Sequence, residues 1–285
     1  MSGVKQETQE TEVKQKKTKV KKQKEFKVPS RKKPIFNIVR CFLRLRYKKP
    51  QIINLAGDIE DRSIVVVNHS GKNGPPALDI RYPKFTVKWG AHEMLGNYFS
   101  RRAYLRDILY IKKYGRKPGF WTTFKASFEA IFSLRIYRGM RFMPTYQDGR
   151  FATTLRNSVK VLDANMSVMV YPENSNEGYK DVLTEFFPGF VMLAEKYYRQ
   201  KGEDVPVYPV YYSIKKRIMA IGKPLYVQDM VKEGLDRYQI AQRYCDAVNQ
   251  LYFDYVQNAP EKGKKNKKKK GAERADAVAP TSENK

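Results

Sequence analysis

The chain is poor in the residues that build cross-linked or metal-held scaffolds. Cysteine occurs only at Cys41 and Cys245, far apart and without metal-ligand spacing. That excludes a disulfide framework and fits a reducing compartment. Histidine is as scarce: His69 and His92 are the whole supply in 285 residues. No His-x-x-x-His pair exists, which excludes a helix-borne metal site of that type. No apolar run reaches the roughly 20 residues that span a bilayer. The N-terminal segment lacks the apolar core of a signal peptide. Any membrane association is therefore expected to be peripheral, on the inner, cytoplasmic face. No internal repeat is visible.

Negative charge is also short. Asp and Glu total 29 against 56 Lys and Arg, a formal net charge of +27. Such an excess attracts phosphate, whether on nucleic acid, an anionic bilayer or a small substrate. Much of it sits at the ends. Residues 1–33 are Lys, Gln, Glu and Thr with almost no large apolar side chains, and residues 259–285 include KGKKNKKKKG. Neither segment has enough apolar surface to offset ordering its backbone, so both read as disordered basic tails. They are either solvated polymer or electrostatic attachments, the latter worth about 1 kcal/mol per basic residue near an anionic membrane. RNA would attract them equally.

Residues 34–258 read as one domain. It opens with a helix over 34–48, where Ile35, Ile38, Val39, Phe42 and Leu45 recur at helical spacing and Arg40, Arg44 and Lys48 form a second row. Such a helix either packs its apolar face on its own domain, with the basic row in water, or lies in the interface of an anionic bilayer. Strand and helix signals then alternate. SIVVV (63–67) is a buried strand followed by the loop NHSGKNGPP. FTVKW, SVMVYP, VPVYPVYY and RIMAIGKP read as further strands. Helices are expected near 120–138, up to Asn165, in the second half of FFPGFVMLAEKYYRQKG, and along Ile240, Tyr244, Val248, Leu251 and Tyr255. Most aromatics of the 120–138 stretch are expected in the core, with an acyl channel or a lipid contact as the other uses. The interleaving predicts an α/β domain with a central mostly parallel or mixed sheet flanked by helices.

Two loops hold the chemistry. Asn68-His69-Ser70-Gly71 follows the SIVVV strand, and Tyr171-Pro172-Glu173-Asn174-Ser175 follows SVMV. Active-site groups commonly sit in loops at the carboxyl ends of strands. Taken singly, the first is also consistent with a structural His and the second with a turn. Together with FFPGFVMLA (Phe186, Gly189, Leu193, Ala194), VPVYPV (205–210) and IGKP (Gly222, Pro224), in this order over about 60–227, they resemble the phospholipid/glycerol acyltransferase superfamily. That family includes the 1-acyl-glycerol-3-phosphate acyltransferases.

The resemblance implies a glycerolipid acyltransferase-like fold and a metal-independent O-acyltransferase of phospholipid biosynthesis. It would move a fatty acyl group from acyl-CoA or acyl-carrier protein to the hydroxyl of a lysophospholipid or related glycerolipid, with no bound cofactor. His69 would be the general base. The family's acid lies five residues after the His, where this chain has Gly74, so the first acid downstream, Asp79, becomes the expected partner. The helix-starting Pro-Pro-Ala-Leu before it leaves open that Asp79 is carried elsewhere. Ser70, Gly71 and Gly74 are the expected oxyanion and substrate loop, joined by Glu173, Asn174 and Ser175. Arg141 and Arg150 stand nearest the family's phosphate-binding Arg, and Arg150 is the expected phosphate ligand. His92 and Glu93 of KWGAHEM are expected to be structural or substrate-lining. An RNA- or ribosome-associated binding protein, and a non-catalytic lipid-binding relative, remain the alternatives.

Overall fold

The computed structural model describes residues 26–31, 34–71, 73–174 and 178–262. It is an α/β fold built on a seven-stranded, mostly parallel sheet of order β1-β7-β6-β2-β5-β3-β4. The strands are β1 (Gln51–Asn54), β2 (Ile64–Val67), β3 (Thr86–Ala91), β4 (Phe142–Thr145), β5 (Ser167–Val170), β6 (Val207–Ser213) and β7 (Ile218–Ile221). Among the strand pairs of the described residues, β6–β7 alone is antiparallel. The helices are α1 (Pro34–Arg46), α2 (Gly74–Arg81), α3 (Tyr98–Ala103), α4 (Phe120–Gly139), α5 (Phe151–Asp163), α6 (Gly189–Lys201), α7 (Val227–Lys232) and α8 (Arg237–Tyr255). A short 3-10 turn (His92–Leu95) and a π-helical stretch (Tyr104–Lys113) flank α3.

The central strands are apolar on both faces, as a sheet covered on both sides requires. Ile64 and Val66 point into one core with Leu155 and Val159 of α5, Phe190 and Leu193 of α6, and Ile240 and Tyr244 of α8. Val65 and Val67 point the other way, against Ala77 and Leu78 of α2. A third cluster joins Met94, Leu105, Leu109 and Tyr110 to Ala126 and Ala130 of α4. Among the described residues no helix is long and apolar enough to cross a membrane.

Four expectations shift. The core begins before Pro34, because Phe26 and Val28 pack against the first cluster, and Arg31 pairs with Asp61 at 3.1 Å. It also continues past 258, through Ala259 and a Lys262 N–H donated to the Lys215 carbonyl. The rest of both basic tails lies outside the described residues. Of the two placements expected for helix α1, packing of its apolar face on the domain is the one not seen: Ile38, Phe42 and Leu45 are exposed, while Arg40 reaches inward to Asp79. Helix α4, whose Tyr137 packs against the third cluster, likewise turns most of its aromatics outward, Phe120, Trp121, Phe124, Phe128 and Phe132 being exposed. Its buried residues are the small Thr122, Ala126, Ala130 and Ser133. Periodicity reports that a helix has two faces, not which one the domain will cover.

Helix α2 is fixed to β3 by a buried ion pair. Lys88 Nζ lies 2.8 Å from Asp79 Oδ1, with the two side chains 1% and 2% exposed. The same ammonium reaches the carbonyls of Thr86 and Met140, and Arg40 donates to the Asp79 carbonyl at 2.9 Å. Removing one partner of such a pair strands a charge in the core, whereas replacing both by apolar groups is often tolerated. Asp79→Leu is therefore expected to cost about 3–5 kcal/mol in urea unfolding, and Asp79→Leu/Lys88→Met to recover most of it. Additive losses in the double variant would show that the two side chains are not coupled.

Candidate functional site

The site forms where β2 and β5 end side by side. Their parallel register pairs Ile64 with Val168 and Val66 with Val170. Carried past the strand ends, the same offset sets His69 opposite Glu173. The His69 main-chain N–H donates to Glu173 Oε2 at 2.9 Å. Neighbouring parallel strands thus deliver both loops to one edge of the sheet, the usual location of sites in open α/β folds.

Asn68 is the anchor of the first loop. Its side chain accepts from Tyr212 N at 2.7 Å and donates to Tyr212 O at 3.1 Å. It thereby continues the backbone ladder between β2 and β6 beyond Val67. The chain then reverses sharply. Ser70 and Gly71 have positive φ, 48° and 70°, and the Gly74 N–H returns to the Gly71 carbonyl at 3.1 Å. A Cβ at position 74 would sit 1.8 Å from the His69 carbonyl oxygen. No side chain fits there, so the loop that presents His69 cannot also place an acid five residues later. Pro75 and Pro76 open α2 immediately afterwards, their missing N–H groups costing nothing in a first turn.

His69 Nδ1 lies 2.8 Å from the Gly71 carbonyl oxygen. A carbonyl can only accept, so this contact requires the proton on Nδ1 and leaves the lone pair on Nε2. Here the expected pairing with Asp79 is corrected: the backbone of Gly71 orients the ring, and Asp79 is held on α2 by Lys88. The ring also stacks on Tyr179 at 4.8 Å and meets Tyr171 at 5.1 Å.

Burial dominates the electrostatics. Desolvation pushes His69 down to about 4; the Gly71 carbonyl opposes this and the Lys113 ammonium adds to it. The imidazole is therefore neutral at pH 7. Burial raises Glu173 to about 7, opposed by the His69 N–H and by Lys113. Lys113, at the end of the π-helical stretch, is itself lowered by burial and held up in part by Glu173. Its Nζ stands 5.1 Å over the Tyr179 ring.

His69 lines a cavity of about 380 Å³ that is otherwise mostly apolar. Met94, Leu105, Leu109, Phe128, Phe132 and Ile136 form much of its wall, with Asn73, Tyr104, Glu129, Ser133, Tyr137 and Tyr179 as its polar members. A second cavity of about 340 Å³, edged by Arg46, Lys48, Lys215, Arg217 and Lys262, lacks His69.

The other expected residues divide. Ser70 and Gly71 remain beside His69, but the Gly74 N–H is spent within the loop rather than free for an oxyanion. Asn174 is turned toward Glu185, whose main-chain carbonyl and carboxylate accept from its main chain and side chain. Ser175 lies outside the described residues. Arg150 is not placed as expected of a phosphate ligand: it is absent from the cavity wall, and Asp148 already grips its guanidinium through Nε at 3.0 Å and Nη2 at 2.7 Å. That pairing pulls Asp148 down to about 2. Arg141, the other Arg considered, donates to the Ser30 carbonyl. His92 pairs with Glu93 at 3.2 Å and packs on Tyr146, which also carries Arg150. Lys113 and Tyr179 belong to the site without any signal in the sequence, because neither stands in a motif and both arrive by tertiary packing.

No family model and no curated protein matches the chain.

Because the folded-state pKa of Glu173 is raised from 4.5 to about 7, the folded protein binds this proton more tightly than the unfolded chain. The stability it contributes is full below pH 4.5 and is lost as pH rises through 7. Relative to wild type, Glu173→Gln should gain stability between these limits, on the order of 3 kcal/mol by pH 8. Urea unfolding at a series of pH values tests this; a wild-type-to-variant difference independent of pH would contradict it.

Proposed function

We propose that this protein is an acyltransferase that moves a fatty acyl group from an acyl thioester to a lipid hydroxyl. The observation that carries the reading is a neutral, backbone-oriented imidazole on the wall of a largely apolar cavity, at the carboxyl edge of a parallel sheet. The ordered motifs around His69 and Glu173, which resemble those of the glycerolipid acyltransferases, support it further.

In this mechanism the acyl chain occupies the cavity and the thioester carbonyl lies near His69. Nε2 of His69 takes the acceptor's hydroxyl proton as its oxygen attacks the carbonyl carbon. The tetrahedral oxyanion is met by N–H groups of the Ser70–Gly71 turn. Collapse forms the ester, breaks the carbon–sulfur bond, and the departing thiolate takes the proton back from the imidazolium. The Gly71 carbonyl holds the Nδ1 proton throughout, the orienting task that a carboxylate performs in other His-based sites. Burial weakens His69 as a base but also keeps it unprotonated, so its acid limb should lie near pH 4. Neither cysteine is needed as a nucleophile, and burial pushes the Cys245 thiol up to about 12. The acceptor class is a lysophospholipid or related glycerolipid, and the donor acyl-CoA or acyl-carrier protein.

The ion pairing of Asp79 with Lys88 favours a second reading, a lipid-binding relative without turnover. A product assay separates the two. Purified protein is incubated with acyl-CoA and a panel of lysophospholipids, and ester products are measured by mass spectrometry. Wild type should form product, and His69→Ala should lose about 10²–10⁴-fold in rate. Equal turnover in both proteins overturns the mechanism, and lipid binding without product in wild type selects the second reading.

A further inference from the structure

Helix α4 is built inside out for a helix surrounded by water. Its buried positions are small, Thr122, Ala126, Ala130 and Ser133, so it lies close against the third apolar cluster. Its exposed apolar positions are Phe120, Trp121, Phe124, Phe128, Ile131 and Phe132, with Trp121 76% and Phe128 57% exposed. Steps of three and four residues put these six on one side of the helix. Contiguous exposed apolar patches of this kind mark interaction surfaces. The basic tails do not suit this stripe: residues 1–25 and 263–285 contain no aromatic side chain, Leu or Ile.

The charge around the stripe says what does. Arg116 and Lys117 are exposed just before the helix, and Arg135 and Arg138 are exposed at its far end. The single acid of the helix, Glu129, is on the cavity wall. An apolar stripe bracketed by cations, on a chain of net charge +27, matches the interface of an anionic bilayer, where rings sink among the acyl chains and cations stay at the headgroups. At the end of α4, Gly139 abuts Phe36 of α1, and α1 also exposes Ile38, Phe42 and Leu45.

From this we infer that α4 docks the protein on an anionic lipid surface and is the side from which lipid enters the cavity. Phe128 and Phe132 carry the second half of the statement, since each is exposed outside and also lines the cavity that holds His69. A lipid reaching that cavity past these rings moves its acyl chain from bilayer to protein without passing through water. The docking rests on the helix alone; the entry route rests on the acyl-transfer reading.

The test uses the full chain with vesicles of phosphatidylcholine, alone or mixed with phosphatidylglycerol. Trp89 is buried, so a vesicle-induced emission shift reports Trp121. Wild type should co-sediment with the anionic vesicles and its emission should move to shorter wavelength. Phe120→Ser/Phe124→Ser keeps the reporter and replaces no cavity-lining residue; it should bind at least about tenfold more weakly, with unchanged thermal unfolding. Its turnover of monomeric short-chain substrates should equal that of wild type, while turnover of vesicle-borne acceptor falls. Undiminished binding by the variant, or an unshifted Trp121, overturns the docking. So does a wild-type dimer that this variant dissociates, because the stripe would then belong to a second copy. Absence of turnover by wild type on every substrate sinks the acyl-transfer reading and the entry route, and leaves the vesicle comparison to decide the docking.

Discussion

The parallel pairing of β2 with β5 is the constraint on which the site depends. It sets Val66 beside Val170, and the loops that follow inherit that alignment, so the His69 N–H meets the Glu173 carboxylate. A slip of one residue would turn Val65 and Val67 toward the wrong core and carry His69 away with them. Burial on both faces makes such a slip costly, because the two clusters hold alternate residues of the same strand. The register that satisfies the core is therefore the one that assembles the site.

Desolvation then decides the protonation states. His69, Glu173 and Lys113 are each pushed toward their neutral forms by burial; Lys113 adds to the shift of His69, while Lys113 and the His69 N–H oppose that of Glu173, and Glu173 opposes that of Lys113. Displaced pKa values cluster where chemistry is done, although structural networks displace them too. Burial of a charged pair can also be purely structural: the Asp79 carboxylate is held by Lys88 and fixes α2, the helix whose first residue closes the loop around His69. An acid that looked like a partner in sequence works instead as part of the scaffold.

Helices α1 and α4 show the same division between pattern and placement. Ile38, Phe42 and Leu45 on α1, and Phe120 through Phe132 on α4, are spaced as a core-facing stripe would be, yet both stripes face outward. What turned them is packing elsewhere. Arg40 of α1 is drawn in by Asp79, and the small residues of α4 allow a closer approach to Leu105 and Tyr110 than its aromatics would.

Much of the architecture was legible beforehand because it is local. The β-branched runs at 63–67 and 167–170, the Gly-rich turn at 70–74 and the periodic helix near the C-terminus each specify their own backbone. β4, at Phe142–Thr145, and the π-helical stretch were not legible, being short or defined by neighbours rather than by period. By itself the sequence determined an alternating α/β chain and put a histidine and a glutamate just after two apolar strands. Only the tertiary structure decided that those strands are neighbours, that a backbone carbonyl rather than Asp79 orients the histidine, and that Lys113 and Tyr179 complete the site. The reason is that strand order, register and the direction a helix faces are settled by contacts between residues far apart in the chain, which no local pattern encodes.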